Sequence, residues 1–334
     1  MVNRQMNIAV VILNWNGKKL LETFLPSVVQ HSNEADIYIA DNASTDDSIQ
    51  FVTSQYPEIK IIKNTVNGGY AKGYNDVLQQ IDADIFCLLN SDVEVTNNWL
   101  KPITKTFESE PNTAIIQPKI LDYKNKNYFE YAGAAGGFID KYGFPYCRGR
   151  IFDTIEKDED QYNDLAEIFW ASGACFFVRS SVFKQLNGFD EHFFAHMEEI
   201  DFCWRAKNLD YNIKYNGQSK VYHLGGATLS KANPKKTYLN FRNSLFTLIK
   251  NAKAPLFPTM FIRLTLDGIA GLKFLVELKP KHTLAILKSH VAFYCALTRL
   301  LKQRKSLPHN VNYHQKTSIV VDYFVNKNKV YKSL

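Results

Sequence analysis

Asn90-Ser91-Asp92 follows the apolar run Ile85 to Leu89, so amide and carboxylate side chains stand where a buried strand ends. In open α/β sheets this carboxyl edge is where ligands bind. Oxygen donors there suit a hard divalent cation, Mg²⁺ or Mn²⁺, bridging to a diphosphate. The competing reading is a solvated turn after a core strand. A second concentration of charge is Glu191 to Lys207, EHFFAHMEEIDFCWRAK. Helical spacing puts Glu198, Asp201 and Arg205 roughly on one side, with Glu199 and Cys203 on an adjacent face. A third candidate is His223, at the end of the short strand Lys220 to His223 and followed by Leu224-Gly225-Gly226. A neutral imidazole can ligate a divalent cation, although a single histidine at a strand end more often has a structural role.

The elements that must position these groups alternate regularly. Ile8 to Leu13 is a continuous β-branched run, the pattern of a buried parallel strand, broken by Asn14-Trp15-Asn16-Gly17. Lys18 to His31 has apolar residues at helical spacing, with Pro26 set to kink or divide it. Ile37 to Ala40 is a second strand, ending at Asp41. Ser44 is the expected N-cap of the next helix, with Asp47 three residues on. Ile59 to Ile62 is a third strand, Asn67-Gly68-Gly69 a permissive loop, and Ala71 to Ile81 a helix leading to the central strand. This β-α alternation predicts a doubly wound parallel sheet. Four polar strand ends, at Asn14, Asp41, Asn67 and Asn90, point to one shared cleft. There is no GxGxxG and no Walker A lysine pattern, so neither a dinucleotide site nor a P-loop is supported.

From Asp122 to Asp164 the pattern weakens into irregular hairpins, with IEKDEDQYND as an exposed acidic turn. Phe169 to Val178 is an apolar strand interrupted by Ser172-Gly173. Asn212 to Tyr215 and Lys220 to His223 are two short strands. Beyond about Tyr238 the chain becomes helical, with apolar faces and basic residues. It has no uninterrupted apolar run of the roughly 18–20 residues needed to span a bilayer. Two readings fit this tail and are compatible: basic amphipathic helices at an anionic membrane surface, or a helical cap packed on the sheet.

With 334 residues and 46% hydrophobic composition, the chain has enough material for a full core and a second, smaller unit. Its net charge of +7 favours an anionic partner: phosphates, a membrane surface or nucleic acid. No nucleic-acid-binding motif is present. Five scattered cysteines without a CxxC pair argue against a disulfide framework or zinc site and fit a reducing compartment. Met1 to Asn7 is too short and polar for a signal peptide.

The chain resembles the family 2 glycosyltransferases with the GT-A fold, particularly rhamnosyltransferase-like members. The segments that carry the match, in order, are VVILNWNG, IADNASTDDS, NGGYAKGYN, LLNSDVEV, ASGACFFVRSSVFKQLNGFDE, MEEIDFCWR and VYHLGG, together covering about Ile8 to Gly226. The resemblance implies a Rossmann-like, mostly parallel sheet with helices on both faces (residues 1–226) and a C-terminal helical, basic extension (227–334). The implied activity is inverting transfer of a sugar, rhamnose among the candidates, from a dTDP- or UDP-linked donor. The acceptor would be a glycan or lipid-linked molecule of cell-surface polysaccharide synthesis. The enzyme would be cytoplasmic or peripheral on the inner face of the membrane.

Residue by residue, Asp92 matches the metal-binding aspartate of the family's Asp-x-Asp, with Asn90 in place of the first acid and Ser91 between them. Asp41 matches the aspartate that bonds the nucleotide base, an Asx turn or cap being its other reading. The Asn14 region and Asn67-Gly68 would complete the nucleotide pocket, and His223 matches a histidine of the metal or diphosphate site. The family's base lies in an acidic pair, here Glu198-Glu199, and Glu199 stands at the base position, where the family usually has Asp. Trp170, Ser172 and Gly173 would form the acceptor side, with Trp170 either stacking on a sugar ring or lying in the core. Two other readings compete with the enzyme: an inactive nucleotide-sugar-binding module, motivated by Asn90 and Glu199, and a nucleotidyltransferase, for which NWNG is a poor match.

Overall fold

The computed structural model describes residues 6–225, 233–253 and 255–334. Gly226, and Met1 to Gln5 of the N-terminal stretch, lie outside the described residues.

The chain alternates β1 (Ile8–Asn14), α1 (Lys18–His31), β2 (Asp36–Asp41), α2 (Ser48–Gln55), β3 (Lys60–Lys63), α3 (Gly69–Leu78) and β4 (Ile85–Asn90). Then come β5 (Val93–Val95), α4 (Leu100–Ser109) and β6 (Thr113–Asp122). A small antiparallel sheet follows, made of β7 (Gly137–Ile139), β8 (Pro145–Cys147), β9 (Arg150–Ile151) and β10 (Thr154–Ile155). Next are β11 (Leu165–Glu167), β12 (Cys175–Arg179), α5 (Ser180–Gln185), α6 (Glu198–Asn208) and β13 (Asn212–His223). The C-terminal part is α7 (Pro234–Asn251), α8 (Leu256–Val276), α9 (Pro280–Lys305) and α10 (Ile319–Phe324).

Among the described residues the main sheet runs β11-β13-β6-β12-β4-β1-β2-β3, with β5 paired to β13. The block β3-β2-β1-β4 is parallel, and so is the β6–β13 pair, while β12 is antiparallel to both β4 and β6. Strand order reverses at β1, because the chain steps outward through β2 and β3 and returns to β4 on β1's other side. Such a switch point opens a crevice beyond the carboxyl ends of the two strands. Alternate residues of β4 bury in opposite layers: Phe86 and Leu88 with Tyr74, Val77 and Trp204, and Ile85, Cys87 and Leu89 with Leu21, Trp99 and Phe107. Both faces are covered, which explains the unbroken apolar run.

Four local expectations change. Ser44 does not cap α2: the helix starts at Ser48 after Asp47, and the Ser44 hydroxyl instead accepts from the Asn16 N–H (2.9 Å) and Asn14 Nδ2 (3.1 Å). Pro26 sits inside α1 without dividing it. The two short strands after α6 are one strand, β13, with irregular register between Asn216 and Lys220. The acidic turn is anchored, because Asp158 receives the fully buried Lys119 ammonium at 2.9 Å. An ammonium stripped of water needs such a partner.

The C-terminal helices share the core of the sheet. Leu245, Phe246, Leu248 and Ile249 of α7 bury in the same cluster as Phe193 and Trp204. The packed-cap reading of the tail therefore describes α7.

Candidate active site

The ends of β1 and β2 are tied together by Asn14. Its buried amide nitrogen reaches Asp41 Oδ1 at 3.4 Å, Ser44 Oγ at 3.1 Å and Ser48 Oγ at 2.9 Å. Its Oδ1 is buried without a hydrogen-bond partner. Gly17 makes room for that oxygen, since a Cβ there would lie 2.4 Å from it and 3.7 Å from Ser91 Oγ. The ends of β1 and β4 thus meet. Asp41 is buried, and its Oδ2 accepts from the Ser44 N–H at 3.3 Å, the turn bond that its residue type favours. Asn67 is joined on the other side: its Oδ1 accepts from Asn42 Nδ2 and from the Gly69 N–H, both at 2.9 Å. Gly68 precedes α3 and packs on the Lys72 side chain.

At the end of β4 the chain turns through Asn90-Ser91-Asp92 into β5, which pairs with β13 and brings Val93 opposite His223. His223 Nε2 lies 3.1 Å from Asp92 Oδ1 and 3.5 Å from Asn90 Nδ2, and its Nδ1 lies 3.3 Å from Glu130 Oε2. Burial alone would depress the imidazole, but Asp92 and Glu130 overcome it and raise the pKa to about 10. Burial would likewise raise Asp92, yet the facing His223 holds it below the usual carboxylate value. Among the described residues no group of three or more His, Cys, Asp or Glu side chains is disposed to hold a metal ion. With its pKa raised, His223 carries a proton at neutral pH and pairs with Asp92, so Asp92 is the ready oxygen donor and His223 Nε2 would become a nitrogen donor only by giving up that proton to a cation. A site of that kind fits a cation completing its coordination from a diphosphate. Glu94 is engaged elsewhere, in an ion pair with Lys126.

The acidic pair opens α6. The residues before it carry left-handed backbone at Phe194 (φ 64°), His196 (69°) and Met197 (73°), conformations that non-glycine residues adopt at a cost of about 1–3 kcal/mol each. Glu198 and Glu199 each have one buried carboxylate oxygen without a hydrogen-bond partner. Burial, with Glu199 beside it, pushes Glu198 well above the ordinary carboxylate range, and burial raises Glu199 to about 7. The turn before the pair is bonded to the sheet edge through Tyr70, whose N–H donates to the Phe194 carbonyl at 2.7 Å and whose hydroxyl donates to the Gly173 carbonyl at 2.9 Å. The neighbouring Ala174 carbonyl accepts from the Asn90 N–H at 2.9 Å. Asp201 and Arg205 make a buried ion pair at 2.9 Å within α6.

Of the three acceptor-side candidates, two are buried. Trp170 is core: it is buried, its indole N–H donates to the Phe138 carbonyl at 2.8 Å, and its ring lies against Gly137. A ring enclosed in this way presents no face to a sugar. Ser172 is also buried, its N–H donating to Gln117 Oε1 at 2.8 Å. Gly173 is half-buried beside Tyr70.

Four residues of the site were missed. Asn42 bridges Asn67, Asn64 and the Gly69 carbonyl, and its place next to Asp41 was the signal. Tyr70 lay within NGGYAKGYN. Glu130 sits in the irregular glycine and tyrosine stretch, where nothing in the spacing singles it out. Asn243 of α7 donates through Nδ2 to the carbonyls of Phe193 (3.0 Å), Ala195 (2.9 Å) and His196 (2.7 Å). Arg242-Asn243 stands among many other polar residues of α7, so nothing in the spacing singles it out.

The chain is similar to several known proteins. The chain is 25% identical over 245 residues to the low-salt glycan biosynthesis hexosyltransferase Agl10 of Haloferax volcanii, covering 71% of this chain and 74% of that protein. It is 25% identical over 231 residues to the N-acetylglucosaminyl-diphospho-decaprenol L-rhamnosyltransferase of Mycobacterium tuberculosis, covering 65% of this chain and 75% of that protein. The crystal structure of GalNAc-T7 with UDP, GalNAc and Mn²⁺ superposes with a TM-score of 0.59 at 16% identity, over 74% of this chain and 49% of that one, a likeness of fold. The sequence profile of Glycosyl transferase family 2 matches residues 9–186. With more than half its length inside that profile and a GT-A sheet edge carrying the acids, the chain belongs to glycosyl transferase family 2.

Proposed function

We propose that this glycosyltransferase moves a sugar from a dTDP- or UDP-linked donor to a glycan or lipid-linked acceptor, with inversion at C1. One observation carries the reading. Glu199 is a carboxylate with a buried, unpartnered oxygen and a pKa raised to about 7, and the turn that leads into it is bonded through Tyr70 to Gly173 at the sheet edge. A base poised near neutral pH is what proton abstraction from a sugar hydroxyl requires. In the proposed step Glu199 takes the acceptor hydroxyl proton, the oxygen forms its bond to C1 from the face opposite the diphosphate, and the C1–O bond to the diphosphate breaks. Asp41 accepts from the imide N–H of uracil or thymine, and Asn14 and the Asn67-Gly68 turn line the nucleotide. Asp92 and His223 would hold a divalent cation, Mg²⁺ or Mn²⁺, which when bound offsets charge on the leaving diphosphate.

The Mycobacterium tuberculosis relative is named for an L-rhamnosyl transfer on a diphospho-decaprenol-linked sugar, which supports rhamnose and a lipid-linked acceptor here. The Haloferax volcanii relative is named for glycan biosynthesis, which supports a role in polysaccharide synthesis. All five cysteines are free, in keeping with a reducing, cytoplasmic location. Catalysis is assigned to residues 1–226, and the helices of 227–334 brace that unit.

The test is binding followed by turnover. UDP or dTDP with Mn²⁺ or Mg²⁺ should raise the melting temperature of the wild type, and Asp92→Ala should lose the metal-dependent part. Glu199→Gln should keep the nucleotide shift and lose transfer. Transfer surviving in Glu199→Gln would remove that residue from the base role.

A further inference from the structure

The hairpin of α8 and α9 is built with its polarity reversed. α8 turns Thr259, Arg263, Asp267 and Gly271 inward, at intervals of one helical turn. Arg263 and Asp267 pair at 2.9 Å in the interior, and Asp267 also faces His290 of α9 at 3.4 Å. The outward residues of α8 are the apolar ones: Phe257 and Val276 are each 84% exposed, and Phe261, Ile269 and Leu272 also face out. α9 repeats the pattern. It buries His282 and Ser289 alongside Ala285, Ile286 and Phe293, and exposes Leu284, Leu287, Val291 and Tyr294. Single exposed apolar residues need no explanation. A contiguous apolar surface backed by buried charge does, because water favours the opposite arrangement.

The surroundings of this surface say what covers it. Residues 256–305 carry nine Lys or Arg against two acids, Asp267 and Glu277. Asp267 is buried, and Glu277 is neutralised by Lys279 at 2.8 Å and Lys273 at 3.7 Å. The exposed charge of the hairpin is therefore positive, with Lys281 and Lys288 among its exposed cations. A second copy docking on the same face would bring two basic rims together. Anionic lipid headgroups complement that rim, and the acyl region receives the apolar side chains. α9 is by length and composition capable of crossing a bilayer, but its inner face packs on α7 and α8. Its outer face is the part left free of protein.

We infer that the outer face of the α8–α9 hairpin docks this enzyme on an anionic membrane, with Phe257, Phe261, Leu272 and Val291 entering the interface and the lysines meeting the headgroups. This inference stands independently of the donor and acceptor proposed above, since vesicle binding is read without any turnover.

The experiment is co-sedimentation of the purified full chain with phosphatidylcholine vesicles and with vesicles that also contain phosphatidylglycerol. The wild type should partition onto the anionic vesicles about tenfold or more above the neutral ones, and less so as salt is raised. The triple variant F261E/L272E/V291E should lose that binding by a similar factor with an unchanged melting curve, because all three side chains are exposed. Should its melting curve move, L287S/V291S replaces it, and Lys281→Glu with Lys288→Glu tests the rim separately. The inference is overturned by a wild type that stays in the supernatant with both vesicles, or by variants that bind as the wild type does. A wild type that is dimeric in solution and turned monomeric by the triple variant, without vesicle binding, assigns the face to self-association and overturns it too.

Discussion

Glu199 stands where two requirements oppose each other. Its burial raises the pKa from the ordinary 4.5 to about 7. The folded state therefore keeps a proton that the unfolded chain has already lost, and the stability from this site is present at low pH and declines as pH rises from 4.5 to 7. The base role needs the ionised form. Activity should then rise with pH, by about tenfold per unit below pH 7, and level off above it. A kcat/KM profile from pH 5 to 9 checks this. Glu199→Gln, which cannot ionise, should gain melting temperature relative to wild type as pH is raised from 5 to 8, so stability and activity move oppositely at one residue. A flat activity profile across pH 7 would contradict the assignment. Asp92 gives the complementary prediction: in Asp92→Ala the His223 imidazole loses its nearer carboxylate, and the metal-dependent shift with nucleotide should vanish while the metal-independent part remains.

At the scale of elements, the site depends on helices far away in sequence. The left-handed turn before α6 is held by α7: Asn243 serves three carbonyls with one amide group, and Arg242 Nη2 reaches the carbonyls of His192 (2.9 Å) and Phe193 (3.1 Å). Removing the clamp leaves buried carbonyls unsatisfied, at about 1–3 kcal/mol. Asn243→Ala should therefore lower both kcat and the unfolding free energy, with the nucleotide-induced melting shift retained, since the hydrogen bonds of the Asn14, Asp41 and Asn67 side chains run to other elements among the described residues. The orientation of α6 rests on Asp201. This carboxylate takes Arg205 Nε and Lys250 Nζ, both at 2.9 Å, and Asn251 Nδ2 at 2.8 Å. Breaking such a buried pair from one side costs about 3–5 kcal/mol. Asp201→Ala should lose that much in urea unfolding, and a loss under about 1 kcal/mol would show the network to be dispensable.

On the scale of the whole molecule, the C-terminal region is fastened to the sheet at several points. Asp140, at the end of β7, accepts from the N–H groups of Tyr142, Phe144 and Ile319, each at 2.9 Å, and the last of these opens α10. Burial raises this carboxyl to about 6 against the pull of those donors and Arg263. Asp140→Ala should free α10, read as faster amide exchange at residues 319–324, while exchange in β1 and β4 stays unchanged. Unaltered exchange at α10 would mean that packing alone holds it. Met260 of α8 and Phe293 and Leu300 of α9 bury in the same cluster as Phe86 and Leu88 of β4, so the hairpin and the sheet share one core.

Most of the sheet was legible from periodicity, because β1 and β4 are buried on both faces and read as unbroken apolar runs between polar turns. The same logic marked Asn14, Asp41 and Asn90, which end β1, β2 and β4, and Asn67, which lies in the loop between β3 and α3. Helical spacing already placed Asp201 and Arg205 on one side of α6, where they pair. Tertiary structure alone decided which side chains face one another: that Glu130 stands behind His223, that Trp170 closes on Gly137, and that Asn243 reaches across some fifty residues to the turn before the acidic pair. Local spacing encodes faces of helices and strands, and these contacts join faces of different elements. The inverted polarity of α8 shows the division most plainly. Its sequence says only that it is an amphipathic helix; its packing on α7 and α9 determined that the charges point inward and the apolar residues out.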